Sequence, residues 1–599
     1  MKRINIIYLF LACILFGCNK SPDIFAPDRI FSAGKGGELY VANRSGNELI
    51  LFKGDLQPTD KKVSFASPVN DLTLAPDDHI WTVCDGHTGK LYELEASGLK
   101  IISETEIGNS PSSVRYNPLT KSLWITQRFK NTLMEINPVD KEIISAIEIG
   151  REPVDMISFA SDSLLLIVNN MPEMSSLDFP VAAQLSVVDA LRKQVVKRIM
   201  LPNGSTDAKS IAMSGDGSYA YVTHLLARYQ LPTNQVDRGW MSTNALSVID
   251  LHTKEIVNTV LLDTPQKGSA NPWGVTISAD DKSIIAAASG VDQLVVIDRT
   301  ALHNRLNKAK EGVFETPSVH KWEDVPNDAA FLYGIAEYIP TEGKGARSVA
   351  SAGTKVYTAN YFTGEIVAID LPTGERKVNP SSMASLSSTL EGKGNMYFHD
   401  ATLGFQGWQS CANCHPNDAR ADGLNWDLMN DGIGNPKNTK TLLLSHQTPP
   451  SMITGIRKNA EVAVRSGLKH ILFAEANEEV STAMDAYLIS LSPEPSPYLV
   501  KGELSEAAKR GKVNFDNHCA TCHSGTYYTD GKQYQVNWTH GSEKDVKMDV
   551  PALNEVWRTA PYLYDGRSFS MKEMLKIHGP KEPISDKELD ELSEYILSL

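Results

Sequence analysis

The chain has 599 residues, a formal net charge of −14, 42% hydrophobic residues and seven cysteines. That acidic balance excludes nucleic acid and a polybasic membrane contact, since both demand clustered lysine and arginine. The length suits several domains, and the apolar content is ample for large cores.

The chain opens with a short basic region, Lys2 and Arg3, and a mainly apolar run from Ile4 to Phe16 that ends Leu15-Phe16-Gly17-Cys18. The run is shorter than the ~18–20 residues a bilayer-spanning helix needs, so residues 1–17 read as a signal peptide. The Leu-x-Gly-Cys ending resembles the lipobox of bacterial lipoproteins. That resemblance implies cleavage before Cys18, lipid on its sulfur, and membrane attachment in the cell envelope, on the periplasmic side or at the cell surface. The alternative is an ordinary signal peptide with Cys18 merely near the cut. Residues 18–29 would then be a tether. Cys13 leaves with the signal, and Cys84 lies in an apolar strand pattern as a small core residue. With four further cysteines committed below, no intramolecular disulfide is expected, although exported proteins usually pair their thiols.

From 30 to 375 short β-rich runs recur, each ending in a polar residue, crossing a turn and resuming with alternating apolar residues. Tyr40-Val-Ala-Asn43 before Leu49-Ile-Leu-Phe52 is one, and Trp124-Ile-Thr-Gln127 before Leu133-Met-Glu-Ile136 another. Asn43, Asp85, Gln127 and Asn169 stand 42 residues apart, the period of one four-stranded propeller blade. His224, Ala288 and Asn360 continue the series to seven blades, with six or eight as alternatives. The stretch resembles the YVTN-type seven-bladed propeller repeats of exported bacterial proteins, a likeness that implies fold rather than function. The polar ring reads as turn hydrogen bonding more than catalysis.

The period breaks by insertion. Asn169 to Leu185 spans 16 residues and His224 to Leu246 spans 22, against 6 from Asn43 to Leu49. Both insertions should rise from one face. They contain Met171, Met174, Phe179, Arg228, Tyr229, Arg238 and Trp240, and are read either as a docking surface for the following region or a partner, or as ordinary loop variation. A third insertion, roughly Thr300 to Gly345, is expected to join the last two blades. A Ser-rich linker, 376–391, follows.

The last third carries a repeated ligand set: Cys411-Ala-Asn-Cys414-His415 with His470, and Cys519-Ala-Thr-Cys522-His523 with His578. Each later histidine lies 55 residues beyond its motif histidine. C-x-x-C-H is the attachment signature of c-type haem. Two thiols bond the porphyrin and the adjoining imidazole, His415 or His523, becomes the proximal iron ligand. His470 and His578 are the proposed distal ligands, with a surface histidine near a helix end as the alternative for His578, and His446, Met429, Met452 or a vacant position as alternatives at the first iron. Zinc is the rival for C-x-x-C, but zinc modules bring a second pair within about 15–20 residues, whereas these pairs are 108 apart. Two covalently bound haem c groups are expected. Asp422-Gly423 and Asp530-Gly531 repeat the same offset, so two all-α cytochrome c domains are expected at 392–500 and 501–599. The run from Ser505 to Phe515 predicts the helix before the second motif, and Asp586 to Leu599 the closing helix. Arg420, Arg457 and Arg567 are candidate propionate partners, with surface salt bridges as the alternative. Trp408 and Trp426 flank the first motif and are read as core residues or aids to transfer between haems.

Phe398-His-Asp-Ala-Thr-Leu before the first motif, Val550-Pro-Ala-Leu and Thr559-Ala-Pro-Tyr-Leu-Tyr-Asp-Gly566 resemble the bacterial dihaem cytochrome c peroxidase superfamily. That family implies peroxide chemistry at the first haem and electron storage or relay at the second. Two departures stand out. His578 occupies a segment where the family places methionine, and methionine ligation raises the reduction potential. The usual Tyr/Phe-His-Asp-Gly reads Leu563-Tyr564-Asp565-Gly566. The chain is thus read as a seven-bladed all-β propeller followed by two cytochrome c domains. Its expected function is electron transfer with a redox partner protein, the propeller serving docking or binding of a ligand the sequence does not name. The alternatives are a peroxidase-like oxidoreductase and a propeller-based surface binding protein.

Overall fold

A computed structural model describes residues 24–32, 37–85, 88–108, 110–231, 241–379, 383–427, 435–475 and 477–599. The leader with Cys13 and Cys18, together with Arg238, Trp240 and Met429, lies outside them.

Seven four-stranded antiparallel sheets, each of consecutive strands, span 27–64, 69–106, 111–148, 153–200, 205–261, 272–340 and 346–378. This is a seven-bladed β-propeller. In every blade the innermost strand is bulged near its start, as between Val69 and Asp71 or Pro153 and Asp155. A bulge re-aims the following side chain, and here that serves the ring. Asp71 of the second blade accepts from Ser113 Oγ at 2.6 Å and Val114 N at 3.0 Å in the third. Asp155 of the fourth accepts from Ser210 Oγ at 3.0 Å in the fifth. Arg115 bridges both carboxylates, at 2.5 and 3.1 Å.

The apolar cores lie between neighbouring blades. Trp81, Val83 and Leu91 of the second blade pack with Leu123, Ile125 and Met134 of the third. Ring closure follows the same rule: Ile30, Leu39 and Val41 of the first blade share a cluster with Tyr357, Ala359 and Ile366 of the last. Ile30 N also donates to Ser348 Oγ. Cys84 is fully buried, as expected of a core residue.

The polar ring does what its spacing suggests. Asn43, Gln127, Asn169 and Asn360 donate to the carbonyls of Ile24, Ile107, Gln184 and Thr341, tying strand ends to adjacent turns. The third insertion differs from expectation. It lies inside the sixth blade, between its third and fourth strands, because Ala336–Pro340 supplies that blade's outer strand. Its helix Arg299–Lys310 is capped by Asp298 and buries Leu302 and Leu306 against blades five and six.

Beyond the propeller the chain is helical. An opening helix Leu390–His399 crosses a closing helix Glu478–Ser490, and Glu506–His518 crosses Asp586–Leu597. Ser505 and Ser585 cap the second pair through their hydroxyls. Leu589, Leu592 and Ile596 form the buried face of the last helix. Among the described residues no helix is long and apolar enough to cross a membrane.

Candidate functional site

The two helix crossings are built alike. Gly394 and Gly511 each sit where an added Cβ would come within 1.9 Å of a carbonyl on the partner helix, that of Ala483 or Glu591. Four residues on, Phe398 meets Tyr487 at 5.4 Å and Phe515 meets Tyr595 at 5.2 Å between ring centroids. Glycine permits the close backbone approach, and the aromatic pair seals the crossing one turn later. Each C-x-x-C-H motif follows an opening helix, and its first cysteine touches the sealed cluster.

At the second motif His523 Nδ1 donates to the Tyr528 carbonyl at 3.0 Å, leaving Nε2 as the ligating nitrogen. His578 caps the end of the helix Met571–Ile577. Its ring centroid lies 6.4 Å from that of His523. Two metal–nitrogen bonds of about 2 Å each, plus half a ring on either side, separate imidazoles across one metal by roughly 6 Å. The pair therefore has the spacing of two axial ligands. Burial lowers both pKa values, that of His578 to about 4 with His523 adding to the effect, so both rings are neutral, as ligands must be.

The first motif differs. His415 Nδ1 is buried without a hydrogen-bond partner, and burial holds the ring at about 4. His470 ends the helix Ala460–His470 and is exposed. Among the described residues, no ring pairing like that of His523 and His578 joins it to His415. His446 is otherwise engaged: its Nε2 pairs with Asp485 at 3.0 Å, and Arg465 holds that carboxylate at 2.8 Å.

The residues fit a covalent haem at each motif. His415 Nδ1 and Tyr487 Oη, the latter in the cluster that Cys411 touches, are buried polar atoms without protein partners. Burial pushes the Cys411 thiol up to about 12 and the Cys519 thiol up to about 11. No group of three or more metal-ligating side chains gathers among the described residues.

Two of the three candidate arginines are engaged with protein partners. Arg420 spends its guanidinium on Glu555, at 3.0 and 2.8 Å, and on the carbonyls of Asp418 and Ser492. Arg567 chelates Asp565 at 2.8 Å and reaches His540 and the Trp538 carbonyl. Arg457 is half-buried in the turn where its backbone pairs with Ser451. Trp408 packs on Gly268 of the propeller. Trp426 donates to Asp422 at 2.7 Å and joins Val181, Tyr229 and Met241 of the blade insertions.

Both insertions thus meet the helical region. Ser176 Oγ donates to the Gly423 carbonyl, and Asn417 Nδ2 donates to Asn170 Oδ1 at 2.6 Å. Phe179 stays exposed. Arg228, on the second insertion, is turned away to the Pro326 carbonyl of the third. Sequence reasoning missed the position just after the polar ring. Arg44, Arg128, Asn170 and Tyr361 all follow ring residues, and all face the helical region. Arg44 and Arg347 act with Arg420 and His399 to hold the Asp418 carboxylate well below its ordinary range, overriding a burial effect in the opposite direction.

Residues 508–599 match the cytochrome c family. They form a cytochrome c domain. Two proteins of Kuenenia stuttgartiensis are similar to the chain. Hydrazine synthase subunit gamma is 25% identical over 275 residues, covering 35% of this chain and 78% of its own length. Hydrazine synthase subunit beta is 23% identical over 186 residues, covering 30% of this chain and 45% of its own. A solved Kuenenia stuttgartiensis hydrazine synthase structure superposes with a TM-score of 0.51 at 18% identity, over 59% of this chain and 98% of that one, a likeness of fold alone.

Proposed function

We propose that the chain is a c-type cytochrome with two covalent haems, one at each C-x-x-C-H motif, working in electron transfer, with the propeller as the platform that positions both. The facing pair His523 and His578, 6.4 Å apart, carries this reading. The repeated Gly–Phe–Tyr crossing supports extending it to the first motif, which the family match does not reach. When bound, haem supplies a one-electron ferric/ferrous couple. His523 and His578 are the residues that would hold its iron. Pyridine haemochrome analysis against protein concentration should give two haems per chain, falling to one in Cys411→Ala/Cys414→Ala. A value of one in the intact protein refutes the two-haem reading. Attachment through lipid on Cys18 belongs to the same proposal, and Cys18→Ala should move the protein from the membrane to the soluble fraction. A redox partner protein completes it, and the acidic chain favours a basic surface on that partner.

The first site favours a second, enzymatic reading, because among the described residues no histidine ring is paired with His415 as His578 is with His523. An iron there with one protein ligand would bind peroxide or a small nitrogen compound. The resemblance to two subunits of one hydrazine-making enzyme supports the latter class. Turnover of peroxide, or of hydroxylamine with an artificial donor, separates the readings: electron transfer alone predicts neither.

A further inference from the structure

The two imidazoles at the second motif are in opposite tautomers, and one side chain is responsible. A carbonyl only accepts, so His523, whose Nδ1 meets the Tyr528 carbonyl, carries its proton on Nδ1 and has a free lone pair on Nε2. An indole N–H only donates. Trp538 Nε1 lies 3.0 Å from His578 Nδ1, so that nitrogen is the acceptor and the neutral ring carries its proton on Nε2. The nitrogen left for an iron shared with His523 is therefore the protonated one.

Trp538 is firmly placed. Its ring stacks on Tyr564 with centroids 6.0 Å apart and planes at 30°. Its carbonyl accepts from Arg567, which is itself chelated by Asp565. The pair lies at the surface of the domain, whereas His523 is on the inner side.

We propose that Trp538 and the iron compete for His578, so the second haem has a releasable distal ligand. Ligation by Nε2 moves the ring proton to Nδ1 and breaks the indole hydrogen bond. Release of the ligand restores that bond, and no electrons or protons are gained or lost. The released state presents the iron's outer face to solvent and to a small inorganic ligand. Trp538 acts here as a positioning residue, through His578. The inference rests on His578 being an axial ligand.

The test is cyanide binding to the ferric full-length protein, followed by electron paramagnetic resonance as loss of the low-spin signal that His578→Ala abolishes. Trp538→Phe keeps the stacking on Tyr564 and removes the donor. Loss of one hydrogen bond is worth about fivefold in the release equilibrium, so cyanide should displace His578 about fivefold more slowly in Trp538→Phe. An equal or faster rate overturns the competition, including the case where only the reduction potential shifts, which would make Trp538 a tuner of a permanently bound ring. If His578→Ala leaves every haem signal unchanged, the ligation reading itself fails, independently of Trp538.

Discussion

Asp422 and Asp530 occupy the same place after their motifs yet meet opposite fates. Asp530 is half-buried; its partners, chiefly the Tyr534 hydroxyl at 2.6 Å, outweigh burial and lower its pKa. Asp422 is fully buried and its pKa rises to about 7, burial outweighing the donors from Trp426 and Leu424. The motif was legible in the sequence. The difference was not, because it arises from the propeller insertion that covers only the first copy. For an acid whose folded pKa is raised, ionisation costs stability above that pKa, and the cost fades as pH falls toward the unfolded value of 3.8. Asp422→Asn removes the ionisation but surrenders one accepted hydrogen bond. The pKa rise sets a ceiling of about 4 kcal/mol, from which the lost bond subtracts about 1. Chemical denaturation should therefore show the variant more stable than the parent at pH 8, by about 2–3 kcal/mol, with the gap closing between pH 7 and 4. A pH-independent gap would mean that Asp422 does not titrate in that window.

At the scale of elements, the crossing of Glu506–His518 with Asp586–Leu597 makes a prediction against helix propensity. Alanine in place of Gly511 should stabilise an isolated helix by about 1 kcal/mol. In the domain its Cβ would fall 1.9 Å from the Glu591 carbonyl, a backbone atom that cannot turn aside. Overpacking of this kind costs typically 1–3 kcal/mol, and Gly511→Ala should lower the thermal midpoint of the haem domain, as should Gly394→Ala in the first copy. A rise in either would show that the helices can separate without loss. These helices were partly readable: Leu589, Leu592 and Ile596 fall at helical spacing, and Ser505 and Ser585 stand at their caps. The blades were readable through the 42-residue period. What escaped was contact between distant segments. Gly394 meets Ala483, and Arg420 meets Glu555, through the tertiary fold alone. The third insertion was misplaced for the same reason, since the outer strand it precedes is defined only by pairing with Gln293–Asp298.

For the whole molecule the decisive feature is a buried ionic junction between the propeller and both helical domains. Arg151 donates to the carbonyls of Ala560 and Arg558, at 2.8 and 2.7 Å. Arg558 pairs with Glu152 at 3.2 Å and with Glu555 at 3.4 Å, and Glu555 in turn holds Arg420. Such pairs are weak arguments for net stability, because desolvation offsets their attraction, but removing one partner strands the other at about 3–5 kcal/mol. Arg558→Ala strands part of two carboxylates at once and removes the ion pair from the propeller's Glu152 to the segment between the second motif and His578, leaving the Arg151 bonds to its backbone. Calorimetry of the intact chain should show the propeller and the carboxyl-terminal domain unfolding together. The variant should split the trace, the haem domain melting first. Arg558→Lys should restore little, since a single ammonium cannot serve two carboxylates in a fork. Acid supplies an independent check. Arg558, Arg128 and Arg151 hold the Glu152 pKa below its ordinary 4.5 despite burial, so the junction is intact above that pH and is lost only as pH falls well below it. In the parent the coupled transition should therefore persist to pH 4.5. Separate transitions already present at neutral pH would mean that the propeller carries the helical domains without fixing how they sit.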